Sequence, residues 1–475
     1  MTLTALVRAG GVAASFIAVA TSARAQESQF MSDLRREGEH VAESCNSIAP
    51  KALGGCAYVL ATSYPFHLSL GSLAPGNGLA FGLAVSERYT PNENWRITWS
   101  GDAVRTASGS YRLGGYTKFV HTPKAVGVVV RLPGDPPVKP RRLKLDTWVI
   151  DAFAQRTSIG SINYFGPGPG SVEDGRATFG ETQTQVGGGV VLPMSGASWI
   201  GALHPALMFG VTSRAVSITS GNNAGVPSVQ ESYANDDAPG LDRQDPSVEF
   251  REGLRLRPSL PNGRLQLDYF LSAQQFRTTK ASRSSFDRVT IDLQHRIPIY
   301  RTSASSGPRD FNGPNECAET LDSLACPPVQ RSRDRSGTIG FRVLLSTSRT
   351  RGQNHVPFYF QPTLGGSDLN GQRVLASYQD SRFRAPHLFA LQQSFEHSIW
   401  GPIGAFVSAE QGKVSLTRRA IGFRNLARSV TIGLTVRAGG FPLLNLSWSW
   451  GTEGNHVIGS MDTSLLGGGA RPGLF

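Results

Sequence analysis

Sustained alternation of apolar and polar residues is the feature that most constrains the fold of this chain. From residue 264 to 275, apolar side chains occupy every second position, and most of those between are polar or charged. Residues 288–297 repeat the pattern. A period of two puts the two sets on opposite faces of a β-strand. A two-sheet sandwich shares this period, but apolar positions opposite arginines and carboxylates suit a lipid-facing surface around a wet lumen better.

About sixteen such strands can be placed between residues 67 and 466, an even number as bacterial membrane barrels require. Trp448 and Trp450 lie on the apolar stripe of one of them, where they suit a membrane interface. The chain is therefore predicted to be all-β, a transmembrane antiparallel β-barrel. The predicted strands include 67–73, 111–121, 388–400, 403–414, 429–438, 443–451 and 456–466.

The connections between these strands differ in length and composition. Short turns rich in proline and glycine, such as 258–263, alternate with long polar loops, such as 220–245, which is the usual barrel asymmetry. Residues 303–335 form a further polar insertion. Counting strands from the loop at 356–384 places this insertion at the opposite end of the barrel, where we expect it to dock on the N-terminal segment.

The start of the chain predicts the compartment. Residues 1–25 contain Arg8, an apolar stretch and the small-residue pattern Ala23-Arg24-Ala25, as in a cleaved secretory signal peptide. A membrane anchor would need about 20 apolar residues. The predicted organisation is a signal peptide at 1–25, a short periplasmic segment at 26–64 and the barrel at 65–475.

The charge balance is positive, at +12. It favours anionic partners such as lipopolysaccharide phosphates or acidic polypeptides. The interpretation we prefer is a basic lumen wall, because many arginines fall at alternating strand positions. The sequence has no basic patch interleaved with aromatic residues, so no nucleic-acid partner is expected.

Four cysteines fall in two close pairs, Cys45 with Cys56 and Cys317 with Cys326. In an oxidising compartment they predict two local disulfides, although four cysteines permit three pairings. There is no Cys-x-x-Cys, and although His40 lies near Cys45, no second histidine completes a zinc site there. We expect neither a metal nor a cofactor.

The densest motif lies between residues 356 and 414. Its three glycines, Gly365, Gly366 and Gly371, can enter left-handed backbone regions cheaply, so the segment can fold back on itself. The motif comprises Leu364, Gly365, Gly366, Ser367, Asp368, Asn370, Gly371, Gln372, Arg373, Arg382, Phe383 and Arg384, with Glu396 and Glu410 in the strands that follow. It resembles the corresponding region of the bacterial surface antigens, the BamA/TamA superfamily of outer-membrane β-barrels.

The resemblance implies a sixteen-stranded barrel whose motif-bearing loop folds into the lumen as a plug. In the superfamily a loop arginine pairs there with carboxylates of the barrel wall. Asn370 occupies the arginine position in this chain, while Glu396 and Glu410 match the carboxylates. Either another cation replaces the arginine, or both glutamates are hydrated lumen residues. The candidate cations are Arg373, Arg382 and Arg384.

Both ends of the chain depart from the pattern of the superfamily. Relatives carry periplasmic POTRA domains ahead of the barrel, and residues 26–64 are too few for one. Phe475 resembles the terminal assembly signal of outer-membrane proteins, but it follows a glycine-rich tail rather than a strand.

The function that the resemblance implies is outer-membrane protein assembly or protein translocation, through a seam between residues 67–73 and 456–466. The alternative is a structural, surface-antigen or diffusion barrel with a fully paired seam. Expected partners are outer-membrane lipid, lipopolysaccharide and unfolded outer-membrane or secreted polypeptides. No enzyme is expected, because the chain has no Gly-x-Ser-x-Gly elbow. In addition, His387 and His397 lie ten residues apart on one strand, too far to act together.

Overall fold

A computed structural model describes most of the chain from residue 65 onward. The described residues are 39, 42, 65–92, 94–121, 148–194, 203–258, 265–280, 283–306, 331–367, 373–400, 403–438 and 441–461. The predicted signal peptide, the four cysteines and Phe475 lie outside them. The chain divides into two compact units, 1–67 and 68–475, and the second contains nearly all of the sheet. The predicted domain limits stay predictions.

Sixteen strands follow one another in sequence order in a single sheet. Each neighbouring pair from β2 onward is antiparallel. The strands are β1 (Phe66–Ser72), β2 (Leu79–Asn92), β3 (Trp95–Thr106), β4 (Tyr111–His121), β5 (Trp148–Tyr164), β6 (Ala177–Pro193), β7 (Ala206–Ser220), β8 (Ser247–Leu256), β9 (Gln266–Thr278), β10 (Phe286–Ser306), β11 (Arg331–Thr350), β14 (His387–Trp400), β15 (Ile403–Ser415), β16 (Ala427–Ala438), β17 (Phe441–Gly451) and β18 (Gly454–Met461).

Two further strands, β12 (Thr363–Leu364) and β13 (Phe383–Arg384), pair with each other outside this sheet. The helical elements are one turn of α-helix, α1 (Val229–Ser232), and three short 3₁₀ turns, at Glu173–Gly175, Phe358–Phe360 and Arg418–Ala420. No helix among the described residues is long and apolar enough to cross a membrane.

The outer face of the sheet is apolar and the inner face is polar. On β16 the side chains of Val430, Ile432 and Leu434 are 46–50% exposed, whereas Ser429 and Thr431, on the alternate positions, are each 2% exposed. The same alternation runs along β17, where Leu444, Leu446 and Trp448 are exposed and Ser447 and Ser449 are buried. Large aliphatic residues exposed on every second position are expected of a surface that faces lipid.

The sheet curves around the connection between β11 and β14, residues 351–386, which we call the lumen segment. Arg382 of this segment bonds both to Ser171, between β5 and β6, and to Glu453, between β17 and β18. Arg288 on β10 donates to the carbonyl of Phe360. The lumen segment therefore contacts three parts of the barrel that are far apart in the strand order: the β5–β6 connection, strand β10 and the β17–β18 connection. The predicted fold, a sixteen-stranded β-barrel with an inward-folded loop, is confirmed.

Two apolar clusters join the lumen segment to the wall. The first surrounds the aromatic run Phe358–Phe360 with buried residues of β5, β6, β9 and β10. Phe276 and Phe286 stack in this cluster with centroids 4.3 Å apart, and Phe358 contacts Phe179 edge to face at 4.9 Å. The second cluster packs Leu364, Leu375, Tyr378 and neighbours against β14 and β15.

Both clusters lie near one end of the barrel, the end where β11 leaves and β14 returns, which we call the loop end. Because strand direction alternates, the connection from β10 to β11 is at the other end, as predicted for the insertion at 303–335. Its docking on the N-terminal segment involves residues outside the described ones. The predicted asymmetry of connections is incomplete, since residues 122–147 and 307–330 both join strands at the end that was expected to have short turns.

Candidate functional site

The candidate site is the lumen segment together with the wall residues that hold it. Its start folds back on itself: the N–H groups of Gly365 and Gly366 donate to the carbonyls of Val374 and Leu375 at 3.0 Å. The φ angles of the two glycines are +107° and +57°, in the region that residues with a Cβ rarely adopt. The sequence prediction of a glycine-dependent turn is therefore matched by the backbone.

Ser367 and Asp380 close this turn. The N–H of Ser367 donates to Oδ1 of Asp380 at 2.8 Å, and Ser367 forms an isolated bridge with Arg373. Burial raises the pKa of Asp380, an effect opposed by the Ser367 hydrogen bond and the charge of Arg373. Residues 368–372, in the middle of the turn, lie outside the described residues. They include four motif residues, Asp368, Asn370, Gly371 and Gln372.

Arg382 connects distant parts of the wall. Its Nε donates to Glu453 at 2.8 Å, and its two terminal nitrogens donate to the side chain and carbonyl of Ser171, each at 2.8 Å. The guanidinium also lies 4.9 Å from the ring centroid of Phe165 and 4.7 Å from that of Phe383. Its side chain is 3% exposed. In this low-dielectric setting the ion pair and its hydrogen bonds are stronger than they would be in water.

Arg384 and Phe383 form the strand that ends the motif. Arg384 is 1% exposed, donates to the carbonyl of Phe358 at 2.8 Å and lies over the ring of Phe179. Its Nε and one terminal nitrogen have no hydrogen-bond partner among the described residues, and neither does Oε2 of the buried Glu181. Phe383 packs against Tyr378 with ring centroids 5.3 Å apart.

Of the two predicted wall carboxylates, Glu410 contacts the lumen segment. It is 5% exposed, and its Oε2 accepts the N–H of Ala376 at 2.9 Å. Gln392, its partner in the β14–β15 ladder, donates to the carbonyl of Arg373 at 2.7 Å. The segment thus meets Glu410 through its backbone, while Arg382 and Arg384, two of the proposed replacement cations, bond elsewhere.

Glu396 lies apart from Glu410. It is half-buried on β14, four residues beyond Gln392, so roughly 13 Å of strand separates it from the Glu410 level. Its ladder partners are Thr338 and Phe406. The structure does not bring the two glutamates into one carboxylate cluster.

The polar wall contains further ion pairs that sequence reasoning missed. Arg214 on β7 and Glu249 on β8 are each 1% exposed and meet at 2.6 Å, and Glu249 also accepts from Arg251 and Gln274. Period-two patterning puts these residues on the inner face, but it gives no partner. The partners become evident only from the strand register.

Two other groups of the inner wall, and an aromatic run in the lumen segment, were also missed. Arg112 pairs with Asp102 at 2.8 Å, and Arg342 with Asp292 at 2.8 Å. Phe358–Phe360 lies in a segment without periodicity, so only its aromatic composition indicated that it would be buried.

Among the described residues no cluster of His, Cys, Asp or Glu could hold a metal ion. What the arrangement can do is fix a segment of chain within the lumen.

The fold is a plugged sixteen-stranded β-barrel. No family model and no curated protein matches the sequence. Among solved structures, CdiB from Acinetobacter baumannii is 11% identical over 83% of this chain and 58% of that one, with a TM-score of 0.44. BamA from Haemophilus ducreyi, solved without POTRA domains 1–3, is 12% identical over 83% of this chain and 70% of that one, with a TM-score of 0.46.

CdiB from Escherichia coli is 10% identical over 84% of this chain and 62% of that one, with a TM-score of 0.44. The chain therefore spans less than two thirds of the length of both CdiB structures.

Proposed function

We propose that this chain is an outer-membrane barrel that inserts or translocates other polypeptides, with the lumen segment keeping its pore closed at rest. The observation that carries the proposal is the position of the motif. The residues that resemble the superfamily loop lie within the barrel, where Arg382 connects the wall at Ser171 and Glu453. A segment fixed across the lumen restricts free diffusion through the barrel.

The ends of the sheet support the same function. β1 and β18 are the first and last strands in the order, with 7 and 8 residues, and within the described part of the chain they are the shortest of the sixteen. An edge strand offers unpaired N–H and C=O groups to which an incoming strand can add.

The partners that follow are unfolded outer-membrane or secreted polypeptides, and the location is the outer membrane after cleavage of the predicted signal. The exposed apolar positions of β16 and β17 support a lipid environment.

The test is a folding assay in phosphatidylcholine liposomes. The full barrel is reconstituted, a small unfolded outer-membrane barrel is added from urea, and its folding is followed by resistance to protease. We expect faster folding than in empty liposomes. Equal rates in both would contradict the proposal, and a barrel that conducts after removal of its plug but does not assist folding would be the structural or diffusion barrel instead.

Two proline variants on β18 make the assay specific to the edge. Successive N–H groups of a strand point to opposite sides, so one of His456 and Val457 directs its N–H away from β17. Proline removes that donor but is tolerated on an edge strand. Of His456→Pro and Val457→Pro, we expect the variant that removes the outward N–H to slow assisted folding, while Val457→Ala leaves it unchanged.

A further inference from the structure

The connection between β15 and β16, residues 416–426, is a basic loop at the loop end of the barrel. From residue 411 to 431 the chain has five cations and no acidic residue. The cations are Lys413, Arg418, Arg419, Arg424 and Arg428. A loop of one charge sign beside a membrane surface concentrates counter-ions of the other sign.

The loop folds over the outer, lipid-facing side of the sheet. Phe389 and Lys413 are partners in the β14–β15 ladder, and both point outward because their neighbours Leu388 and Val414 are buried inside. Phe423 of the loop contacts the Phe389 ring edge to face at 5.1 Å. Lys413 donates to the carbonyl of Arg424 at 3.1 Å, which ties the loop to the strand.

Burial of the ring beneath Phe423 shows that this contact covers the sheet. Phe389 is 7% exposed, whereas Phe395, which points outward farther along the same strand, is 40% exposed. Phe423 itself is 75% exposed. The loop therefore covers one aromatic residue of the outer face and presents another at the same height.

No carboxylate among the described residues neutralises the exposed arginines of the loop. Arg418, Arg419 and Arg424 are exposed, and none of the three forms an ion pair with a described residue. Two other arginines at the loop end do have acidic partners: Arg243 pairs with Asp245 at 3.0 Å, and Arg277 pairs with Asp287. The β15–β16 loop, by contrast, places three exposed arginines without an acidic partner among the described residues within seven positions of one another.

We propose that this basic loop binds the phosphate groups of lipopolysaccharide in the leaflet next to the loop end. Guanidinium groups form paired hydrogen bonds with phosphate. Phe423 is exposed beside the outward-facing Phe389, and aromatic residues are favoured where headgroups meet acyl chains. The choice of lipopolysaccharide rests on the proposed outer-membrane location, whereas the choice of a phosphate-bearing lipid rests on the charge and position of the loop.

The experiment uses the full chain in a neutral detergent, titrated with diphosphorylated lipid A, with the same lipid after removal of its phosphates, and with phosphatidylglycerol. We expect tight binding of the first, at least tenfold weaker binding of the other two, and loss of affinity as salt is added. Equal binding of the dephosphorylated lipid or of phosphatidylglycerol would overturn the proposal.

Variants assign the binding to the loop. The triple substitution Arg418→Ala, Arg419→Ala, Arg424→Ala should weaken lipid A binding at least tenfold. The matched control removes three exposed cations from the loop-end rim at β9–β11, by Lys280→Ala, Arg283→Ala and Arg351→Ala, and should change affinity less than twofold. An equal loss in both variants would mean non-specific charge and would refute the site.

The folding assay in phosphatidylcholine liposomes separates this inference from the proposed function. Those liposomes contain no lipopolysaccharide, so the triple loop variant should assist folding as well as the wild type. Loss of lipid A binding with intact assistance, in that variant, is the combined result we expect.

Discussion

Arg382 joins the lumen segment to two connections that are far apart in the strand order. It bonds to the β5–β6 connection and to the β17–β18 connection at once. Arg382→Ala leaves Glu453 without its cation and Ser171 without two donors. Breaking a buried ion pair by removing one partner costs about 3–5 kcal/mol, and because the Glu453 side chain is 22% exposed we expect the lower part of that range.

The measurement for Arg382→Ala is the free energy of unfolding in urea, with the barrel in lipid vesicles. Arg243→Ala is the matched control, because Arg243 also pairs with a carboxylate at the loop end but its side chain is 64% exposed. Exposed pairs contribute about 0–1 kcal/mol. Equal losses in the two variants would show that Arg382 does not anchor the segment.

Gly365 provides a second prediction at the scale of a residue. Its φ is +107°, and a Cβ there would lie 2.5 Å from Cβ of Arg382 and 2.7 Å from the carbonyl of Gln379. We expect Gly365→Ala to lower the free energy of unfolding by about 2 kcal/mol or more, through backbone strain and overpacking. Gly170→Ala is the control, since a Cβ there meets nothing within 4 Å. A Gly365→Ala barrel as stable as the control would contradict the turn geometry.

The motif residues could be predicted from the sequence, whereas their partners could not. Gly365 and Gly366 are recognisable as turn residues from composition alone. The contacts of Arg382 with Ser171 and of Arg384 with Phe358 depend on which parts of the wall meet the segment in the folded barrel. The partners are 211 and 26 residues apart in the sequence, so no local pattern indicates either contact.

At the scale of the element, the central claim is that one face of each strand meets lipid. Ile432 is 50% exposed in the middle of β16. An arginine on the lipid face near the bilayer midplane costs about 2–4 kcal/mol, so Ile432→Arg should lower the free energy of unfolding in vesicles by that amount. Ile432→Leu should leave it within about 0.5 kcal/mol. If Ile432→Arg is neutral, this face meets water and the chain is not a membrane barrel.

Strands were predictable where alternation is regular. The predicted strand 111–121 coincides with β4, and 388–400 differs from β14 by one residue. The ends of strands were predicted less well where the apolar–polar alternation stops before the hydrogen-bonded ladder does. An example is β10, which continues to Ser306, past a bulge between Pro298 and Tyr300. The last strand was predicted to start at His456 but starts at Gly454, because the turn after β17 has only two residues.

At the scale of the whole molecule, the lumen segment determines whether the barrel is an open pore. Its two apolar clusters join it to β5, β6, β9 and β10 on one side and to β14 and β15 on the other. Polar contacts add to these clusters. Glu410 and Gln392 on the wall accept from and donate to the backbone of the segment, and Arg382 of the segment bonds to Glu453. A segment held in this way is expected to obstruct the lumen at the loop end.

Single-channel conductance in a planar bilayer tests this claim most directly. The wild type is compared with a variant in which residues 364–384 are deleted and a short glycine linker joins the two ends. The ends of that stretch are adjacent, because Thr363 and Arg384 are ladder partners, so a short glycine link can close the gap. We expect low conductance in the wild type and a clear rise in the variant. A large conductance that does not change when the residues are removed would contradict the account.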